Sequence, residues 1–537
     1  MEKIVLIIPF IPVVIALLIG FLNKKELMPR ISIYFSSVVA LLAIYGAYHV
    51  MSSGEPITGL GGLLVYNELS SILVVYVSIL GLVIRKYATK YMWDEAGYKR
   101  FFILLNFIFS AIYLLVMSNN LIVLTLGWQL MSISLYLLVS FNVGSKSAVK
   151  NGGWTMITHK VADILFIIAI VLTYKTFGSF DLGELSDKWL LMYENGTAND
   201  PMIYVIGLLF LFAAMMKSAI MPFHLWLPYT SEAPTPVSAL MHAGVVNVGA
   251  ILLNKLAFLL ILSPMVLNIA FVMGLVTAIF ASIIMLATSD IKRSLGYSTV
   301  GQMGYMIMEI GLGAFSLAIY HLMLHGIFKA TLFLSSGSIV HQARREPNIP
   351  RRLSYELFWK DKANKANKKK MLRNIALFTI LPIVIFIGIK QLLGEDVFHF
   401  HAAVLILAFA ALTGTQLFLS FLKVSKKDSL KVLFILIGSF TFILFSYEFL
   451  GLTLEHYLYH EYAQLFYTAA TVNVTFAMLF ILLTLILFVG WFFMYKQHFF
   501  DSEKSSKEPN KTKWLFYKIL AKEAYFSKFF IKYIKIF

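Results

Sequence analysis

Apolar runs of about twenty residues, each closed by a short polar connection, recur along the whole chain. Fifteen can be marked, near residues 3–22, 31–51, 64–84, 101–117, 120–141, 155–174, 202–219, 236–262, 264–287, 294–312, 315–340, 374–393, 401–422, 430–450 and 470–495. Runs of this length suit helices that cross a hydrocarbon layer about 30 Å thick. The pattern predicts an all-α polytopic membrane protein of about fifteen transmembrane helices, beginning with the span IVLIIPFIPVVIALLIGFL.

The connections alternate in charge. The first holds Lys24, Lys25 and Arg30, and the third Arg85, Lys86, Lys90, Lys99 and Arg100. The fifth holds Lys146 and Lys150, the ninth Lys292 and Arg293, and the thirteenth Lys423, Lys426, Lys427 and Lys431. Residues 341–373 form the longest basic loop. Every odd connection but the seventh is basic and every even one is poor in Lys and Arg. The positive-inside rule then puts the N-terminus outside and the C-terminus in the cytoplasm of a bacterial cell membrane. After a polar linker, the ending WLFYKILAKEAYFSKFFIKYIKIF alternates aromatic and Lys positions at helical spacing. It predicts an amphipathic helix on the inner leaflet or on a partner.

Composition agrees with that solvent. Of 537 residues, 59% are hydrophobic and 14% charged, against roughly 25% charged in soluble proteins. Mean hydropathy is +0.79. The absence of cysteine excludes disulfides, thiolate zinc sites and cysteine nucleophiles. A net charge of +17 reflects orientation and lipid contact in such a chain, not nucleic acid.

Charges inside the spans carry the functional signal. Lys160 and Asp163 open the sixth run, Lys217 lies in the seventh, and His242 and Lys255 in the eighth. His321, His325 and Lys329 lie in the eleventh, Lys390 in the twelfth and Glu448 in the fourteenth. A lysine at mid-membrane costs about 2.5–3.5 kcal/mol on insertion scales. Snorkelling accounts for Lys160 and Lys390. It fails for Lys217 and Lys329, which have apolar turns on both sides. The i, i+4, i+8 spacing of His321, His325 and Lys329 sets them on one shallow spiral, with about 6 Å rise per step. Imidazoles both donate and accept, as a proton relay requires; a pair of packing histidines is the plainer reading. HLMLHGIFK lacks the glutamate of the zinc-protease motif. HFH at 399–401 and HYLYH at 456–460 read as loop histidines in outer connections. No metal or other cofactor is expected in this chain.

The stretch KSAIMPFHLWLPYTSEAPTPVSALMHAG holds Pro222, Pro228, Pro234 and Pro236, so the seventh helix must break just after Lys217. The freed backbone needs polar partners there, which places Lys217 and His224 at a hydrated site. Pro382 interrupts the twelfth helix ahead of Lys390. Spans 4–8 and 9–13 make two blocks of five, hence two inverted repeats with broken helices 7 and 12, a transporter pattern. The expected organisation is helices 1–3 (1–100), a first five-helix unit (101–262), a second (263–425), helices 14–15 (426–498) and the cytoplasmic ending (499–537).

These residues carry a family resemblance. KSAIMPFHLWLPYTSEAPTPVSALMHAG, SDIKRSLGYSTVGQMGYM and YHLMLHGIFKATLFLSSGSIVH resemble the proton-pumping, antiporter-like subunits of respiratory complex I and the Mrp cation antiporters. The resemblance spans roughly residues 65–345. It implies a central hydrophilic axis, with Lys217 as the broken-helix lysine, His242 on the eighth helix, and His321, His325 and Lys329 as a relay on the eleventh. Lys255 and Lys390 extend the axis. In that family a fifth-helix glutamate after Gly-Trp pairs with the broken-helix lysine. Here Gln129 stands at that point, a neutral amide that cannot form an ion pair with Lys217. Lys160 with Asp163, together with His224 and Glu232, are the remaining coupling candidates. MHAGVVNVGAILLNK and the short ending resemble the DabB (MpsA) branch. That likeness implies a cytoplasmic DabA partner, a large zinc protein similar to a β-carbonic anhydrase, driven by inward flow of H+ or Na+. An Mrp-type antiporter subunit and a respiratory-complex subunit share the channel chemistry and differ in partner. An ordinary solute carrier is disfavoured by a charged axis built of Lys and His.

Overall fold

The computed structural model describes residues 2–197, 200–288, 290–345, 381–382, 384–393 and 429–470. It is mostly helical, and among the described residues nine helices are long and apolar enough to cross a membrane. The spans expected at 401–422 and 470–495, His399 and His401, and the amphipathic ending lie outside the described residues, as do the side chains of the basic loop.

The first expected span is divided. A 3-10 turn, Glu2–Ile7, precedes a short α1, Ile11–Phe21. Then come α2 (Leu27–Ser53), α3 (Glu68–Tyr91), α4 (Tyr98–Met117), α5 (Leu121–Val139) and α6 (Lys146–Phe177). Starts are marked by side-chain caps. Asn67 and Ser70 form a reciprocal capping box on α3, and Ser145 caps α6. The Ser145 cap carries α6 nine residues further back than hydropathy alone suggests. Lys160 and Asp163 therefore sit in the middle of a 32-residue helix, not at its start.

Three further departures have local causes. A two-stranded hairpin, β1 (Ile57–Gly59) with β2 (Leu64–Tyr66), interrupts the all-helical expectation and is tied to α2 by a bond from the Tyr66 hydroxyl to Ala43 O at 2.7 Å. The connection at 175–201 contains an amphipathic α7, Leu182–Glu194, capped by Asp181. Arg85, counted above among loop charges, lies inside α3 and is 1% exposed. It donates to Ser32 Oγ (3.1 Å) and Asn106 Oδ1 (3.0 Å) and lies over the Phe109 ring.

The seventh span breaks as the prolines require. α8, Pro201–Lys217, ends at the lysine. A left-handed Ala219 (φ 54°) turns the chain. A crossing segment follows, made of the turn Phe223–Leu225, α9 (Trp226–Tyr229) and the turn Thr230–Glu232. The Trp226 indole caps the freed Met216 carbonyl at 3.0 Å. The eighth span is broken too, where the apolar run suggests one continuous helix. α10 (Thr235–Ala243) stops at Gly244, and α11 (Val248–Lys255) and α12 (Ala257–Ile261) resume the path. The freed Ala243 carbonyl accepts from Asn247 (2.8 Å) and from the Tyr76 hydroxyl (2.7 Å). The window Thr235–Lys255 is the most enclosed of the nine candidate spans, as suits a broken helix whose backbone cannot face lipid.

α13 (Pro264–Ala287) and α14 (Ile291–Gly311) pack backbone to backbone through Gly274, Gly304 and Gly311. α15 is Phe315–Arg345. Residues 2–341 belong to one compact unit and 342–514 to a second. Within the second, residues 381–382 and 384–392 are helical on either side of Ile383. There α16 (Ser429–Tyr459) is followed by the turn His460–Tyr462 and α17 (Ala463–Ala469). His456 and His460 thus sit at a helix end rather than in a loop, with ring centroids 6.0 Å apart.

Candidate functional site

The first cluster forms where α8 ends against α5 and α6. Lys217 is fully enclosed, 0% exposed. Its Nζ donates to Ser132 Oγ (2.7 Å) and Trp128 O (2.9 Å) and lies 4.0 Å above the Trp128 ring. Its acid is Asp163, with Nζ 3.0 Å from Oδ1. The other carboxylate oxygen takes Lys160 at 3.1 Å, and the Lys160 side chain is 40% exposed. Lys160 also donates to Gln129 Oε1. The order is therefore Lys217, Asp163, Lys160, Gln129, with one carboxylate shared by an enclosed amine and an accessible one. Gln129 does not meet Lys217. The partner that Gln129 cannot supply on the fifth helix comes from Asp163 on the sixth, expected as a partner of Lys160 and lying 54 positions from Lys217 in sequence, a pairing invisible to any periodicity.

The second cluster lies between α14 and α15. His321 bonds through Nδ1 to Glu309 Oε1 (2.9 Å) and through Nε2 to Gln302 Oε1 (2.7 Å). Its ring is 6.3 Å from that of His325. Lys329 donates to Ser298 Oγ (2.8 Å) and Leu295 O (3.3 Å). His242 stacks on Phe333 from the α10 side, with centroids 4.3 Å apart. The three α15 residues share a face, as the spacing implied. Glu309 was missed, although a lone acid in MGYMIMEIGLG is a visible signal.

The remaining candidates are spread out. Lys255 donates to Ser118 O (2.9 Å), the carbonyl at the end of α4, where a cation meets the negative end of the helix dipole. His224 is buried in the crossing segment, its ring 6.1 Å from that of Tyr297. Glu232 accepts from Ser145 Oγ at 3.0 Å, at the exposed start of α6 and away from both clusters. In the second unit Lys390 pairs with Glu448 at 2.8 Å. Among the described residues no three His, Asp or Glu side chains are grouped to hold a metal ion.

Such a fold, apolar helices enclosing paired amines, carboxylates and imidazoles, is that of a multi-pass ion-transport subunit. Residues 118–414 match the family described as NADH:quinone oxidoreductase/Mrp antiporter, TM, and residues 63–102 match complex I chain 5, N-terminus. The chain belongs to this family. It is 36% identical to the probable inorganic carbon transporter subunit DabB1 of Halothiobacillus neapolitanus, over 91% of this chain and 89% of that one. It is 32% identical to the chloroplastic NAD(P)H-quinone oxidoreductase subunit 5 of Tecoma stans over 62% of this chain, spanning 48% of that relative's length. The fold is also that of the Mrp complex from Dietzia, with a TM-score of 0.62 at 19% identity, covering 100% of this chain and 60% of the other. A second solved neighbour is an archaeal membrane-bound sulfane sulfur reductase, with a TM-score of 0.55 at 20% identity, covering 62% and 56%.

Proposed function

We propose that this chain is the cation-conducting membrane subunit of an inorganic-carbon accumulating system, in which inward H+ or Na+ flow drives hydration of carbon dioxide to bicarbonate on a cytoplasmic DabA-like zinc protein. The chain itself acts in transport rather than catalysis. The observation that carries the conducting role is the Asp163 carboxylate shared between enclosed Lys217 and accessible Lys160. A carboxylate with two competing amines has two arrangements of similar contacts, and an ion arriving beside Lys160 alters their balance. The carbon role is supported by the near full-length likeness to DabB1. On this reading Lys217, Asp163, Lys160 and Gln129 form one half-path, and His242, His321, His325, Lys329 and Glu309 the other. Lys255 extends them, and within the second unit Lys390 with Glu448 is a further candidate. Fifteen helices, two inverted five-helix units, an outside N-terminus and a bacterial inner membrane complete the proposal.

The test is growth of a strain that depends on this chain at air levels of carbon dioxide. Lys217→Met and Lys329→Met should each abolish growth while the protein stays in the membrane at normal abundance, and a large zinc protein should co-purify with the wild type in mild detergent. Full growth of both variants would refute the conducting role. An Mrp-type antiporter is the second reading, favoured by the Dietzia likeness over the full chain. It would show as sodium/proton exchange in liposomes with no carbon phenotype.

A further inference from the structure

A further buried titratable group lies outside both clusters. His159, on α6, is 0% exposed, and neither ring nitrogen has a hydrogen-bond partner among the described residues. Its ring and the Trp226 indole form a T-shaped pair, centroids 4.7 Å apart at 83°. A purely packing role would be filled by an apolar ring, and buried polar atoms in folded proteins are almost always bonded to protein or water.

Position gives those nitrogens a use. His159 directly precedes Lys160 and lies one helical turn before Asp163, about 6 Å along the same face. Trp226 belongs to the crossing segment. Two residues earlier His224 neighbours Tyr297, and Tyr297 precedes Ser298, the oxygen that Lys329 bonds. Lys160–Asp163–Lys217, His159, the crossing segment, α14 and Lys329 thus follow one another within one compact unit, linked by the ring contacts His159–Trp226 and His224–Tyr297 and by the Lys329–Ser298 bond. We infer that His159 is a proton-relay residue joining the first cluster to the crossing segment and so to Lys329, with water bridging its two ring nitrogens. One nitrogen takes up a proton while the other releases one, and exchange of the tautomer resets the ring; no net charge remains. The inference rests on the conducting role and sharpens it, because imidazole passes H+ and cannot pass Na+.

The full chain, purified with whatever partner accompanies it, is reconstituted in liposomes holding a pH-sensitive dye, and uptake is driven by a potassium diffusion potential. His159→Gln keeps hydrogen bonding but cannot cycle a proton; it should slow uptake about a hundredfold, as expected on losing a proton-transferring side chain. His159→Gly should be equally slow and recover when imidazole is added but not when pyrrole, a ring of the same size that cannot cycle a proton, is added; a packing role would be restored by either. Wild-type uptake in His159→Gln, or a His159→Gly loss that imidazole leaves unrepaired, overturns the relay. A wild-type protein that carries no cation at all overturns the conducting role itself.

Discussion

Replacing Asp163 with Asn removes one charge from a group that serves two amines of unequal burial. Lys160 is 40% exposed, so its half of the bridge is worth about 0–1 kcal/mol. Lys217 is 0% exposed, and removing one partner of a buried pair costs about 3–5 kcal/mol because the other charge is left uncompensated. Ser132, Trp128 O and the Trp128 ring still hold the amine, and the substituted amide keeps an acceptor oxygen, which sets the expected cost at the lower end, about 3 kcal/mol. The assay is denaturation of the full chain in detergent, followed by tryptophan emission. Trp128 is a local reporter, lying under Lys217 and stacked on Phe166 with centroids 4.8 Å apart. Asp163→Asn, Lys217→Met and the double variant close a cycle. The double variant should be more stable than the sum of the single losses predicts, by more than about 1 kcal/mol. Additivity within about 0.5 kcal/mol would show that the two side chains do not interact energetically.

Gln129→Glu should pair the new carboxylate with Lys160, adding about 0.2–1 kcal/mol and changing ion flux by less than about fivefold; a loss beyond tenfold in liposome uptake would mean that Glu reaches Lys217. Gly304→Ala should lower the unfolding free energy by about 1–3 kcal/mol, read from the shift in denaturation midpoint, since overpacking must push helices apart. A Cβ there would lie 2.6 Å from Ala278 N and 2.7 Å from Gly274 O. Gly301→Ala, whose nearest neighbour would be Ser282 Oγ at 3.4 Å, is the control, and equal losses would refute the close crossing. Arg85→Met should cost less than Asp163→Asn in the same assay. Met fills most of the volume, Ser32 Oγ still donates to Asn106 Oδ1 at 3.4 Å, and Asn106 Nδ2 still donates to Ser32 Oγ at 3.1 Å, so neither is stranded.

Local chemistry was legible and long-range pairing was not. Four prolines after Lys217 dictate a break wherever the chain lies, and α8 ends at that lysine. The α15 spacing likewise survives folding, because a helix fixes which residues share a face. The i,i+3 spacing makes Asp163 a neighbour of Lys160, and the two lie 3.1 Å apart. The bond from Asp163 to Lys217 depends on how α6 packs against α8, which no local pattern encodes. Arg85 was misplaced because hydropathy falls where a helix turns polar, and the window ends the span before the helix ends. Gly244 broke the eighth span without a proline, and a single glycine in an apolar run gives too weak a signal to predict that.

The enclosed amines divide by what holds them, and the division bears on how a charge could move. Lys217 and Lys390 each face a carboxylate. Lys255 and Lys329 face backbone carbonyls and, for Lys329, a hydroxyl, with no carboxylate within ion-pair distance among the described residues. A carboxylate favours an ammonium strongly over a neutral amine, and a carbonyl or hydroxyl oxygen accepts a hydrogen bond from either. A path made only of acid-paired lysines would trap an arriving proton, and one made only of carbonyl-held lysines would offer it no foothold. Within the first unit the two kinds coexist, an acid-paired Lys217 and a carbonyl-held Lys329, with His159, His224 and Tyr297 lying between them in the order of the fold. Converting one kind into the other is therefore the sharper test of the conducting reading. Ser298→Asp, which gives Lys329 an acid of its own, should slow uptake while raising stability. Faster uptake with unchanged stability would show that the partner of Lys329 does not govern passage.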